Sequence, residues 1–162
     1  MEEPREYANR NEVFRLKKVC SNCPFRKDID FHGLSEERVN DLRSRLNNGE
    51  VFHCHKTLDY SKLDEDDPDK TDDDDMSSAV VPQTQFCAGA RATMELGGSP
   101  NVLLDLGKLL GIKTDGFDAQ SQPVYSSINE WADALVERDR REQAERRERL
   151  YHMSRKKKRS SD

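Results

Sequence analysis

Apolar residues in this chain fall into a few short helical stripes separated by long polar stretches. The first stripe is Val39, Leu42 and Leu46. It follows Ser35, which suits an N-cap, and Glu36 and Glu37, which suit a first turn facing the helix dipole. Asn47-Asn48-Gly49 closes it. A second helix is predicted from near Cys87 to Glu95 or Leu96, ended by Gly97-Gly98. A third takes Ser99 as cap and Pro100 as its first residue, with Val102, Leu103, Leu106, Leu109 and Leu110 as a broad apolar face and Gly111 at its end. The fourth has the clearest start. Ser127-Ile128-Asn129-Glu130 reads as a capping box ahead of the stripe Ile128, Trp131, Ala132, Leu135. Beyond Val136 arginine and glutamate repeats replace the stripe, and neighbours three and four apart can keep the segment helical to about Arg149. Strand signals are weak and no internal repeat is present.

Charge changes this picture by removing residues from the core. Of 162 residues, 36% are charged and 33% hydrophobic, with a net charge of −5. Asp59 to Asp75 holds ten acidic residues against Lys62 and Lys70, a net of −8, and is interrupted by Pro68. Such a segment cannot bury enough apolar surface to order itself. The chain therefore divides into a flexible N-terminus (1–12), a metal-binding domain (13–136) carrying an acidic disordered insertion (59–82), and a charged helix with a basic tail (137–162). Roughly a hundred residues are left to pack, a size at which a metal staple is often needed.

The staple is visible as four cysteines. Cys20 and Cys23 form Cys-Ser-Asn-Cys-Pro-Phe-Arg; Cys54 sits in Phe-His-Cys-His-Lys-Thr; Cys87 sits in Phe-Cys-Ala-Gly-Ala. A Cys-x-x-Cys turn sets two thiolates on one side of a tight loop, the usual first half of a sulfur site. The N-terminus is acidic and lacks a secretory h-region, and no apolar run reaches spanning length. A reducing compartment favours metal ligation over two disulfides. Cytoplasmic localisation without membrane association is expected, nuclear if the host is eukaryotic. The expected fold is mainly α: a small metal-stabilised helical domain with long irregular loops.

Zinc accepts four cysteines, or three with a histidine, and His53 and His55 flank Cys54 as alternative ligands. Structural zinc sites usually draw on two close pairs, whereas one pair here is joined by two isolated cysteines. A [4Fe-4S] cluster tolerates dispersed ligands because its iron corners diverge. Cys23-Pro24 echoes ferredoxin runs, and Cys87-Ala88-Gly89 offers free amides at a helix start to an anionic cluster. The cluster is the first expectation and zinc the alternative. In an extended segment His53 and His55 point away from the side Cys54 faces, which suits a supporting or packing role. Arg26, Lys27 and Lys56 follow the motifs closely and would offset the site's negative charge or contact an anion. His32 and His152 have no neighbouring ligand set.

The three cysteine motifs resemble those of a family of small uncharacterised bacteriophage and bacterial proteins. The resemblance runs from about Cys20 to Gly111 and is specific at the motifs. It implies a shared metal or iron–sulfur site built from Cys20, Cys23, Cys54 and Cys87. The Asp-rich insertion and long basic C-terminal helix depart from that pattern.

No radical-enzyme cysteine signature, Walker loop or Gly-x-Ser-x-Gly is present, so the reading leans away from an enzyme. Residues 137–162 hold eleven Arg and Lys against six Asp and Glu, and Arg155, Lys156, Lys157, Lys158 and Arg159 form an unbroken basic run. That run suits nucleic-acid contact or, in a eukaryotic host, nuclear localisation. The expected function is an accessory or regulatory protein, binding a nucleic acid or a nucleic-acid enzyme. A zinc-stabilised structural adaptor and an electron-transfer iron–sulfur protein are the alternatives.

Overall fold

The structure, a computed structural model, describes residues 14–59, 61, 80, 84–110 and 116–159, with backbone alone for 108 and 155–159. The flexible N-terminus expected for 1–12 and most of the disordered insertion expected for 59–82 lie outside the described residues. The protein is mainly helical. Among the described residues four α-helices follow in order, α1 (Glu36–Asn47), α2 (Ala88–Gly97), α3 (Val102–Leu109) and α4 (Ile128–Arg159), with one 3-10 turn at His55–Thr57. Strand-type pairing among the described residues is confined to two isolated antiparallel bridges, Arg26 with Val124 and His53 with Phe86.

α1 begins where its cap predicts: the Ser35 hydroxyl accepts the Arg38 N–H at 3.3 Å. Its buried stripe is Val39, Leu42 and Leu46. That stripe faces α4, and polar pairs on either side fix the register. Asn47 Nδ2 donates to Asn129 Oδ1 at 3.1 Å, Arg43 reaches Asp133, and Arg140 pairs with Glu36. From Asn47 to Glu36 the α1 position falls as its α4 partner rises from Asn129 to Arg140, so the two helices run antiparallel. At the start of α4, Ser127 Oγ accepts the Glu130 N–H at 3.1 Å. The return bond of the expected capping box goes one residue further out, with Glu130 accepting the Ser126 N–H at 2.8 Å.

α3 differs from its expectation at its start. Pro100 is not helical; Asn101 is the cap, its Oδ1 accepting the Leu104 N–H at 2.9 Å. Asn101 is buried because its amide also donates to the Gly49 carbonyl at 3.1 Å. Tertiary contact therefore selects the cap over the local Ser-Pro signal. The helix is rotated accordingly. Leu104 is buried, and the Phe14 ring comes so close to Gly107 that a Cβ there would stand 3.1 Å from it. Val102, Leu106, Leu109 and Leu110, expected on the packed face, are exposed.

The core gathers around Trp131, Phe25, Phe86, Leu46, Met94 and Ile128, all at most 1% exposed. α2 is enclosed along most of its length, and its C-terminal Gly97 abuts Ser127 at the start of α4. It also buries a cation: Arg91 is 3% exposed, pairs with Glu95 at 2.8 Å, and lies 3.9 Å from the Phe117 ring centroid. α4 continues ten residues beyond the expected end near Arg149. Its first half sends charges outward, Arg138 to Asp30, Arg140 to Glu36 and Glu142 to His32, rather than pairing along the helix.

Candidate metal centre

Three chain segments carry the four cysteines, and each is held by contacts that follow from its motif. In the first, the Cys23 N–H donates to the Cys20 carbonyl at 3.2 Å and the Arg26 N–H to the Cys23 carbonyl at 3.1 Å, two successive tight turns. Pro24 and Phe25 anchor these turns to α4. Trp131 Nε1 donates to the Pro24 carbonyl at 3.0 Å, and the Phe25 ring stacks on the indole at 4.6 Å between centroids. Lys27 N–H donates to the Pro123 carbonyl at 3.1 Å, completing the pairing of this segment with the approach to α4.

The second and third segments hold each other. Cys54 N–H donates to the Gln85 carbonyl at 2.8 Å, and Cys87 N–H to the Phe52 carbonyl at 2.9 Å. Thr57, from the His-Lys-Thr turn, locks the pair: its hydroxyl donates to the Cys54 carbonyl at 2.9 Å and accepts the Gln85 N–H at 3.0 Å. Cys87 is then the N-cap of α2. The turn of the first segment packs directly onto the start of that helix. A Cβ on Gly89 would lie 2.4 Å from Cys23 Sγ and 3.1 Å from Phe25 Cβ, so only glycine permits the approach.

All four cysteines are free thiols; Cys23, Cys54 and Cys87 are buried and Cys20 is half-buried. Cys23 Sγ and Cys87 Sγ are 3.7 Å apart. The shared hydrogen bond pushes the Cys23 thiol up and draws the Cys87 thiol down; burial adds to the first, and the Ala90 and Gly89 N–H groups add to the second. Burial pushes the Cys54 thiol up, and the nearby Cys87 and Cys20 raise it further, while the Lys56 N–H and charge oppose this. The four groups thus act on one another across one region of the fold. Among the described residues, no group of three or more His, Cys, Asp or Glu side chains is placed to hold a single metal ion.

Of the three cations expected here, Arg26 pairs first with Asp28, its Nε at 2.8 Å, and is held above its ordinary value by that bond, with lesser help from Cys23 and Cys20. Lys56 acts on Cys54. Lys27 acts instead on Glu130 and Asp28. His53 and His55 line a cavity of about 160 Å³ against Arg38, Leu42 and Leu46 of α1, and none of the four cysteines lines it. His53 Nδ1 is buried there without a hydrogen-bond partner, and burial holds the ring below its ordinary value. Arg155, Lys156, Lys157, Lys158 and Arg159 belong to the last turns of α4, far along the chain from the cysteines.

Trp131, Thr57 and Gln85 escaped the sequence reading as parts of this site. Trp131 reads as a core residue of an amphipathic stripe, and nothing local links it to Pro24, 107 positions away. Thr57 and Gln85 act through backbone partners that only the fold supplies.

Among the described residues no helix is long and apolar enough to cross a membrane. No family model, curated protein or solved structure matches this chain.

Proposed function

We propose that Cys20, Cys23, Cys54 and Cys87 bind a [4Fe-4S] cluster, and that the protein is an accessory or regulatory factor acting through contact with a nucleic acid or a nucleic-acid enzyme. The observation that carries the reading is the contact of two free thiols from separate segments, Cys23 and Cys87, 3.7 Å apart at the N-terminus of α2, beside a glycine whose Cβ would displace the first. The donor set suits the group in kind: thiolates alone, one of them already favoured by helix amides. When bound, the cluster supplies electron storage and a cross-link between segments. The protein's own residues supply the rest. Arg26 and Lys56 offset negative charge, Trp131 and Phe25 fix the Cys20–Cys23 turn, and half-buried Cys20 marks the solvent side.

Zinc is the second reading, favoured by one distance. Two thiolates on a tetrahedral zinc with bonds of about 2.3 Å stand about 3.8 Å apart, close to the 3.7 Å between Cys23 and Cys87. The dispersed third and fourth ligands favour the larger group.

Purification without oxygen, with iron, sulfide and zinc analysis and a visible spectrum, separates the two. A brown protein with iron and sulfide in equal amounts supports the cluster; a colourless protein with one zinc replaces it. Serine at any of the four cysteine positions should empty most of the site, whereas alanine at His53 or His55 should leave the metal in place. Full metal content in Cys87→Ser would remove that residue from the ligand set.

A further inference from the structure

We infer that the projecting half of α4, led by Arg146, Arg147 and Arg149, is a docking arm for double-stranded DNA that enters the major groove. This rests on the proposed nucleic-acid partner and specifies its form and the residues that meet it. From Gln143 to Ser154 every residue is exposed, and the last contacts with the body are made by Arg138, Arg140 and Glu142. The helix nevertheless continues to Arg159. Seventeen residues at 1.5 Å each make an arm of about 26 Å standing free of the core. A solvated helix of that length is supported neither by a buried stripe nor by ion pairs: among the described residues only Glu148 with His152, at 3.6 Å, pairs along it.

Charge selects the partner. Residues 143–159 carry eight arginines and lysines against two glutamates, a net of +6 in a protein whose total is −5. Arg146, Arg147 and Arg149 make no ion pair among the described residues, although Glu142 stands four positions before Arg146 and Glu145 four before Arg149. Glu142 is drawn away to His32. At 100° per residue Arg146, Arg149, Leu150 and Met153 fall on one side, while Glu148 and His152 fall on the other. The arm therefore presents a cationic side with two exposed apolar residues, Leu150 at 57% and Met153 at 68%.

Shape narrows the choice. A helix with its side chains is about 10–12 Å across and the B-DNA major groove about 12 Å wide. An A-form RNA duplex has too narrow a major groove to admit it. Single strands are bound on aromatic platforms, and the only aromatic in the arm, Tyr151, packs edge-on against His152 at 5.9 Å. A membrane-surface helix needs a broad apolar face built from Trp, Phe and Leu, and the arm offers Leu150 alone of these.

The test uses the full metal-loaded chain and fluorescence anisotropy across a salt series. Its probes are a short DNA duplex, one strand of it, the matching RNA duplex, and phosphatidylserine vesicles. DNA duplex should bind tightest. Replacing Arg146, Arg147 and Arg149 together by glutamine should weaken it and flatten the slope of log affinity against log salt by about 2.7, at 0.9 per lost phosphate contact. Circular dichroism and metal content should be unchanged, showing that the fold survives. Truncation before Arg155 should flatten the slope further while keeping the preference for duplex. Equal or tighter binding of single strand, RNA or vesicles overturns the proposal, as does an unchanged slope in the triple variant. Absence of binding to every probe sinks the arm and the nucleic-acid partner together, while iron and sulfide content reports separately on the cluster.

Discussion

Replacing Gly89 by alanine isolates the approach of the Cys20–Cys23 turn to α2. On an exposed helix this substitution stabilises by about 1 kcal/mol, because alanine is the better helix former. Here the new methyl would lie 2.4 Å from Cys23 Sγ and 3.1 Å from Phe25 Cβ. Ordinary contact begins near 3.4 Å, so the sulfur must retreat by about 1 Å. Metal–ligand distances tolerate only about 0.2 Å, and the displaced thiol is one of the proposed four. Overpacking of this kind costs about 1–3 kcal/mol; against the propensity gain of about 1 kcal/mol the net loss is about 0–2 kcal/mol, together with most of the bound metal. Urea denaturation of the apo protein reads the first quantity and metal analysis after anaerobic purification the second. Gly98→Ala is the control. Gly98 has a φ of +65° with nothing within 4 Å of its missing Cβ, so it should lose about 1 kcal/mol from left-handed strain and keep its metal. Full occupancy with unchanged stability in Gly89→Ala would falsify the proposed packing of the turn on the helix.

Three further outcomes follow from contacts described above. Trp131→Phe leaves the buried Pro24 carbonyl without its indole donor, and a loss of about 2 kcal/mol by urea titration is expected; a loss under about 0.5 would mean that water replaces the indole at no cost. Asn101→Ala should cost about 1–2 kcal/mol and Ser99→Ala less than about 0.5, since Asn101 caps α3 and binds the Gly49 carbonyl; the reverse order would restore Ser99 as the cap. The Ser126 hydroxyl and N–H hold the Glu130 carboxyl below its ordinary 4.5, so their contribution is present above pH 4.5 and fades as pH falls through the lower folded value. The stability gap between the protein and Ser126→Ala, measured from pH 7 to 3, should accordingly narrow below that point.

The helices legible in sequence were those whose signals are local. α1 and α4 start at Ser35 and Ser127 because a side-chain oxygen reaches an N–H three residues on, and that geometry involves no distant partner. α3 shows where this stops. Ser99-Pro100 is a sound local start, but the Gly49 carbonyl draws Asn101 inward, and the helix buries Leu104, leaves Leu106 exposed and sets Gly107 against Phe14. The cysteines stood out by motif, since a Cys-x-x-Cys turn and an N-cap cysteine are likewise short-range features. The scaffold around them did not. Phe25 on Trp131, Thr57 against Gln85, and Arg91 between Phe14 and Phe117 join positions too far apart in sequence to leave a periodic trace. Glutamate and arginine spacing along α4 suggested pairs within the helix, but carboxylates on α1 and its preceding loop, better placed in space, claimed the arginines of its first half.

The single tryptophan of this chain sits where it can be used as an optical probe. Its ring stacks on Phe25, and its N–H is bound to Pro24, the residue after Cys23. Emission from Trp131 therefore originates within a few residues of the sulfur donors and from a position with no exposure to water. Loading or stripping of that region, or slippage of the turn, changes the environment of the one indole, which red-edge excitation separates from the four tyrosines. The native protein thus carries its own indicator, and titrations can be followed by intrinsic fluorescence at low protein concentration without an attached dye.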